Sequence, residues 1–290
     1  MVGSIIRIFG DFMSEFVFGN KSLPLGGKTY IMGILNVTPD SFSDGGEYFS
    51  VYDAVRQTEK MIEQGADIID VGAVSTRPFS DKVSVEEEWM RLAPVLDELR
   101  KRFDVPISVD TFNPENIKRS LESGADIIND VGGIFSSMTA EYVRKYNAGW
   151  IIMHGGVLIS DAGEQREYPC GIINDVNAFF EGMLKKIEEY NIPLNNICLD
   201  AGFGFSKNTE QNIQLLKNFE KIRRGQLPLL CALSRKRFIG ELSGESEARN
   251  RDSATAAANI AAVSKGADIV RVHNVALAKQ TLGMADALLR

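Results

Sequence analysis

Gly65-Ala66-Asp67-Ile68-Ile69-Asp70-Val71 joins the end of one amphipathic stretch to the start of a short apolar run. Glycine commonly closes a helix in the left-handed conformation, so the segment reads as a helix turning directly into a strand. The same joint recurs as Gly124-Ala125-Asp126 before Ile127-Ile128, and as Gly266-Ala267-Asp268 before Ile269-Val270. Copies of one joint imply a repeated supersecondary unit.

Outward from these joints the alternation continues. Apolar runs stand at residues 30–35, 67–71, 106–109, 126–128, 150–153, 196–199, 227–233 and 268–272. Helix-like patterns lie between them at residues 52–64, 85–102, 114–122, 138–146, 174–190, 209–223 and 253–265. Strand and helix in alternation specify an α/β fold with a parallel sheet. About eight units in 290 residues favour a closed (β/α)8 TIM barrel over an open sheet. No glycine-rich dinucleotide fingerprint follows the first run, which weakens the open alternative. No linker divides the chain, so residues 29–290 are expected to form a single barrel domain. Residues 1–28, with Gly19-Asn20 and Gly26-Gly27, are expected to form an N-terminal hairpin covering the barrel floor.

Composition narrows the function. A hydrophobic content of 44% with 24% charged residues is ordinary for a globular chain and supports a large core. The net charge of −7 argues against a nucleic-acid partner, which needs a dense basic face. It leaves room for a small anionic substrate held by a local cluster of Lys and Arg. No apolar stretch is long enough to span a membrane, and the start of the chain, interrupted by Arg7, Asp11 and Glu15, does not read as a signal peptide. Cys170, Cys198 and Cys231 form no paired framework and read as buried or partly buried thiols of a reducing, cytoplasmic compartment. The two histidines, His154 and His273, lack zinc-site spacing.

Side chains alternate along a strand, and active sites of barrels lie at the C-terminal strand ends. Parity then selects the inward residues: Met32, Ile34 and Asn36; Ile68 and Asp70; Ser108 and Asp110; Ile127 and Asn129; Ile151 and Met153; Cys198 and Asp200; Ile269, Arg271 and His273. Asn36, Asp70, Asp110, Asn129, Asp200, Arg271 and His273 should therefore form a polar ring at one end of the barrel. A slip of one residue would reverse the parity of a strand. Such a ring either satisfies itself as a cap, with Asp70 pairing Arg271, or opens as a pocket. As a pocket, Asp110, Asn129 and Asp200 match a heterocycle with an amino-amide edge, such as a pterin. Arg271 and His273 suit pyrophosphate oxygens, and Asn36 suits Mg2+ beside them. Two long loops follow the first two runs, 38–46 and 75–79, and carry Phe42 and Phe79 among polar residues. The basic run Ser234-Arg235-Lys236-Arg237 lies at the same end, with a helix further on.

From about residue 28 to 290 the chain resembles the dihydropteroate synthases. Ile34-Leu35-Asn36-Val37-Thr38-Pro39-Asp40-Ser41-Phe42-Ser43-Asp44-Gly45-Gly46 is similar to that family's first-loop motif, and Ser75-Thr76-Arg77-Pro78 to its second. Ser108-Val109-Asp110-Thr111, Ile128-Asn129-Asp130-Val131, the stretch from Asp200 to Phe205, Ser234-Arg235-Lys236 and Arg271-Val272-His273 follow in family order. The resemblance implies that Asp110, Asn129, Asp200 and Lys236 bind a pterin on which Met153 packs. It implies that Asn36, Arg271 and His273 bind pyrophosphate and Mg2+, and that Thr76, Pro78, Phe42, Phe205 and Ser234 build a p-aminobenzoate pocket. Arg77 and Asp70 join the substrate-binding set, while Asp110, Lys236, Arg271 and His273 carry the catalytic expectation. The implied reaction joins 6-hydroxymethyl-7,8-dihydropterin pyrophosphate to p-aminobenzoate by a dissociative route. The products are 7,8-dihydropteroate and pyrophosphate, and the implied assembly is a homodimer through barrel helices.

Val74, Phe79, Ala201, Ser206, Ala232 and Asn274 depart from the family pattern, as does the stretch 155–170. They bear on the amine side and on sulfonamide sensitivity more than on the pterin. Two alternatives remain at this stage: a paralogue that binds pterin without turning it over, and a pterin-dependent methyltransferase domain.

Overall fold

The computed structural model describes residues 14–38, 46–74, 83–155 and 166–290, with residues 46–50 described by their backbone. An antiparallel hairpin, β1 (Glu15–Phe18) and β2 (Lys21–Pro24), precedes the barrel. The barrel strands are β3 (Tyr30–Asn36), β4 (Ile68–Gly72), β5 (Ile107–Asp110), β6 (Ile127–Asp130), β7 (Gly149–Met153), β8 (Ile197–Asp200), β9 (Leu229–Cys231) and β10 (Ile269–Val272). They close in the order β10-β3-β4-β5-β6-β7-β8-β9, all parallel. Helices α1 (Gly46–Glu63), α2 (Val85–Arg102), α3 (Pro114–Glu122), α4 (Ser137–Tyr146), α5 (Ile172–Glu189), α6 (Thr209–Lys217), α7 (Arg237–Ser243), α8 (Asp252–Ser264) and α9 (Val275–Leu289) surround them. Among the described residues, no helix is long and apolar enough to cross a membrane.

The repeated Gly-Ala-Asp joint has a structural cause. Gly65, Gly124 and Gly266 have φ of 98°, 90° and 91°, the left-handed geometry that ends a helix. The aspartate then accepts the first free N–H of a neighbouring strand. Asp67 Oδ2 takes Ile31 N at 2.9 Å, Asp126 Oδ2 takes Ile107 N at 2.8 Å, and Asp268 Oδ2 takes Leu229 N at 2.9 Å. Each is joined by a cation: Lys28 on Asp67, Arg100 on Asp126, and Arg223 on Asp268. The motif thus caps strand starts at the barrel floor, where backbone donors would otherwise lack partners.

Strand parity divides the core in two. Ile31, Leu35, Ile69, Val71, Ile107, Val109, Ile128, Ile152, Leu199, Val270 and Val272 pack outward against the helices. Met32, Ile68, Ile127, Ile151, Cys198, Leu230 and Ile269 pack inward with Phe16 and Phe18 of the hairpin. Both phenylalanines are fully buried, and their rings meet edge to face with centroids 5.4 Å apart. The expected hairpin therefore stoppers the floor, and the polar ring lies at the other end.

Most elements fall where periodicity places them, and the differences have local causes. α2 and α3 match the expected bounds; Ser84 caps α2 by accepting from Glu87 N, and Asn113 caps α3. α1 starts at Gly46, earlier than residue 52. The helix expected over 209–223 stops at Lys217, because a tighter turn over Phe219–Ile222 puts both of those side chains into the core. The strand expected over 227–233 forms only at Leu229–Cys231. Cys170 is exposed, contrary to the expected burial, while Cys198 and Cys231 are buried.

Candidate active site

Arg271 stands at the centre of the mouth. From β10 its Nε meets Asp70 Oδ2 of β4 at 2.6 Å and its Nη2 meets Asp110 Oδ2 of β5 at 2.8 Å. Asn129 of β6 donates Nδ2 to the same Asp70 oxygen at 3.2 Å. Strand register aligns these groups: Gly72 lies opposite Asp110, and Asp110 opposite Asn129. Part of the ring thus satisfies itself. The remainder does not, since Asp70 Oδ1, Asn129 Oδ1 and Ser108 Oγ are buried without a hydrogen-bond partner among the described residues. Native proteins rarely leave such atoms unpaired outside functional sites.

The other half of the mouth comes from β7 to β9. Met153 lies opposite Asp200 in register and is buried. Asp200 Oδ1 accepts Gly202 N at 2.8 Å. Lys236 donates Nζ to the Phe203 carbonyl and holds that nitrogen 4.2 Å from the centroid of the half-buried Phe205 ring. Ser234 Oγ accepts His273 N at 3.2 Å and lies 2.9 Å from His273 Nδ1. Asn36 ends β3 with an exposed side chain.

Burial sets the electrostatics. Desolvation pushes the Asp110 carboxyl up to about 7, against the pull of Arg271. Desolvation also raises Asp200, against Gly202 N–H and Lys236. The Lys236 ammonium is drawn down to about 8 by burial, with Asp200 opposing. Burial draws Arg271 down too, but Asp70 and Asp110 outweigh it and hold the guanidinium above the ordinary arginine value. The mouth therefore offers a fixed cation beside carboxyl and amine groups that titrate close to neutrality.

The structure brings Asp70, Asp110, Asn129, Met153, Asp200, Phe205, Ser234, Lys236, Arg271 and His273 to strand ends or the loops just beyond them. Phe42, Thr76, Arg77 and Pro78 lie outside the described residues. The basic run after β9 is not a solvated face. Arg235 pairs with Asp252 through 2.7 and 2.8 Å contacts, Lys236 turns inward, and Arg237 alone faces solvent. α7 starts at once at Arg237, with no intervening loop. Asp130 has the opposite parity to Asn129 and accepts from Trp150 Nε1 at 3.2 Å and Gly132 N at 3.0 Å, outside the ring.

Sequence reading missed several groups. Asp252 also accepts Asn274 Nδ2 at 3.0 Å, so it fastens the loop after β9 to the start of α9. Lys207 is buried among backbone carbonyls. His154 Nε2 lies 2.9 Å from Asp175 Oδ2 on α5, and burial draws its imidazole down to about 4. None of these sits on a barrel strand at inward parity, so alternation carried no signal for them.

A closed parallel barrel with acids, an amide and cations converging at its C-terminal mouth defines the class of barrel enzymes whose chemistry sits at the strand ends. Residues 32–273 match the family model described as pterin binding enzyme. The dihydropteroate synthase of Synechocystis sp. is 40% identical over 273 residues, covering 94% of each chain. The solved dihydropteroate synthase of Xanthomonas albilineans with 4-aminobenzoic acid superposes with a TM-score of 0.88 at 35% identity, covering 96% of this chain and 98% of that one. The Burkholderia cenocepacia dihydropteroate synthase complexed with 7,8-dihydropteroate superposes at 0.85 with 33% identity, covering 95% and 96%. The chain belongs to the pterin binding enzymes and, within them, to the dihydropteroate synthases, transferases of folate biosynthesis.

Proposed function

We propose that the mouth of this barrel binds 6-hydroxymethyl-7,8-dihydropterin pyrophosphate and joins it to p-aminobenzoate, yielding 7,8-dihydropteroate and pyrophosphate. The observation that carries the reading is the convergence of Asp110, Asn129, Asp200 and Arg271 from β5, β6, β8 and β10. Asn129 Oδ1 is buried with no partner among the described residues, and the amino-amide edge of a pterin supplies N–H donors for it and for Asp110 and Asp200. Met153 and Lys236 flank the ring.

The pyrophosphate lies toward Arg271 and His273. Ser234 Oγ takes the His273 backbone N–H, and its own proton can go to Nδ1, which supports the tautomer with the proton on Nε2. In the dissociative route the methylene C–O bond breaks and both electrons leave with pyrophosphate. The pterin delocalises the cation, and the neutral aromatic amine adds through its lone pair and then releases a proton. No strong base is required, so the residues act by holding the leaving group and orienting the amine. Asp70, wholly buried, keeps Arg271 aimed at the mouth.

Asn36 is suited to Mg2+. Its exposed amide oxygen offers one hard ligand at the rim, and no group of three His, Cys, Asp or Glu among the described residues forms a cage. That donor set fits an ion that keeps waters and shares phosphate oxygens. When bound, Mg2+ supplies charge neutralisation for the departing pyrophosphate. Homodimer formation through barrel helices is supported by exposed Ile260 on α8 and Met284 and Leu288 on α9. Three unpaired cysteines agree with a cytoplasmic setting.

A pyrophosphate-release assay tests the reading. Release should require both substrates and fall by at least about tenfold in Lys236→Ala, or 1.4 kcal/mol of transition-state stabilisation. Tight pterin binding with no release would leave a pterin-binding paralogue instead.

A further inference from the structure

Lys207 carries a buried amine whose place in the site no strand pattern announces. It is only 3% exposed. Its Nζ donates to the carbonyls of Gly202 at 2.9 Å, Phe205 at 3.1 Å and His154 at 3.4 Å. An ammonium has three N–H donors and no acceptor, so these carbonyls use all of them. Among the described residues no carboxylate pairs with it. Two of the carbonyls belong to the loop after β8 and the third to the turn after β7.

That loop holds one non-glycine residue in a conformation it rarely adopts. Gly202, Gly204 and Ser206 all have positive φ, at 64°, 77° and 50°, and Ser206 is not a glycine. The carbonyls of Gly202 and Phe205, with that of His154, point at one spot, which is repulsive without a cation there. The packing is equally specific. A Cβ on Gly202 would stand 1.8 Å from the His154 carbonyl oxygen, and one on Gly155 would stand 2.8 Å from Lys207 Nζ. Asn212 of α6 pins the outer side, accepting Gly204 N at 2.8 Å and donating to the Lys207 carbonyl at 3.2 Å.

The loop presents two groups to the pocket, the Phe203 carbonyl that receives Lys236 and the Phe205 ring beneath the Lys236 ammonium. We propose that Lys207 is a positioning residue for the synthase site: its ammonium gathers the carbonyls of His154, Gly202 and Phe205 and so sets the Phe205 ring where the aromatic amine must bind. This rests on the function proposed above. Asp110 and Asn129 stand on barrel strands that the cradle does not touch, and Asp200 and Lys236 meet its loop only through the Gly202 N–H and the Phe203 carbonyl, so the larger effect falls on the amine.

Lys207→Met keeps the length of the side chain and removes the charge. Kinetics for p-aminobenzoate and calorimetric binding of dihydropterin pyrophosphate should be measured on the same preparation. The expected result is a KM for p-aminobenzoate raised at least about tenfold, with pterin affinity changed by less than about threefold. Unchanged KM beside a lowered melting temperature would overturn the proposal and make Lys207 a packing residue. Equal losses for both ligands would also overturn it. If Lys207→Met does not fold, Gly155→Ala presses on Nζ and the Phe205 carbonyl with the charge retained. It should raise the same KM, and an unchanged KM there would refute the proposal. Wild-type enzyme that releases no pyrophosphate would instead strike at the synthase reading, whatever the variants do.

Discussion

Arg271 Nε lies 2.6 Å from Asp70 Oδ2, joining the last strand of the barrel to the second across the mouth. Asp70 is wholly buried, and the guanidinium reaches on to Asp110. A buried carboxylate beside an arginine that also has an exposed edge is an aiming device more than a stabilising pair, because desolvation offsets most of the attraction.

Asp70→Asn tests that role. The amide keeps the shape but cannot hold the cation as firmly, so Arg271 should swing. KM for dihydropterin pyrophosphate should rise by about tenfold while KM for p-aminobenzoate stays within about threefold. Steady-state kinetics in both substrates decides it, and unchanged constants would mean that Asp70 does not aim Arg271.

The pH dependence follows from groups that titrate near neutrality. Asp110 must be a carboxylate to accept from the pterin, so activity should fall as pH drops through about 7. Lys236 must be a cation, so activity should fall as pH rises through about 8. A profile of kcat/KM reports the free enzyme and should be a narrow bell between those limbs. A plateau from about pH 5 to 9 would contradict it.

The same burial makes Asp110 a cost to the unliganded fold. Its folded value near 7 lies above the ordinary 3.8, so across that window the folded chain keeps a proton that the unfolded chain releases. Stability from this group is therefore full below the ordinary value and lost as pH rises toward 7. Asp110→Asn removes that loss. Urea unfolding at pH 5 and pH 8 should show the variant gaining on wild type at the higher pH, even as turnover falls. An equal difference at both pH values would mean that the carboxyl is not perturbed.

At the opposite end, Phe16 and Phe18 fill the barrel floor. Phe16→Ala leaves a cavity there and should cost about 3–5 kcal/mol in chemical denaturation. Because the floor is remote from the mouth, kcat of the folded variant should stay within roughly a factor of two. A large loss of kcat without loss of stability would contradict the division of the barrel into a structural floor and a chemical mouth.

Much of this was legible from alternation alone. The glycine-aspartate joint marks the starts of β4, β6 and β10, so Asp70, Asn129 and Arg271 follow by counting, and Asp110 and Asp200 follow from the alternation of β5 and β8. The Asp70–Arg271 pair follows from chemistry, two opposite charges forced into one ring. Lys207, Asp252 and His154 did not follow, because loop side chains have no period and their partners are backbone carbonyls or distant helices. The early end of α6 was hidden for a related reason: Phe219 and Ile222 fit a helical spacing and a tighter turn equally well.

The central claim is that side chains from separate strands grip one pterin. Calorimetric titration with dihydropterin pyrophosphate and Mg2+ measures that grip without requiring turnover. Asp110→Asn, Asn129→Ala and Asp200→Asn, each on a different strand, should each raise Kd by at least about tenfold. Wild-type affinity in all three would contradict the claim.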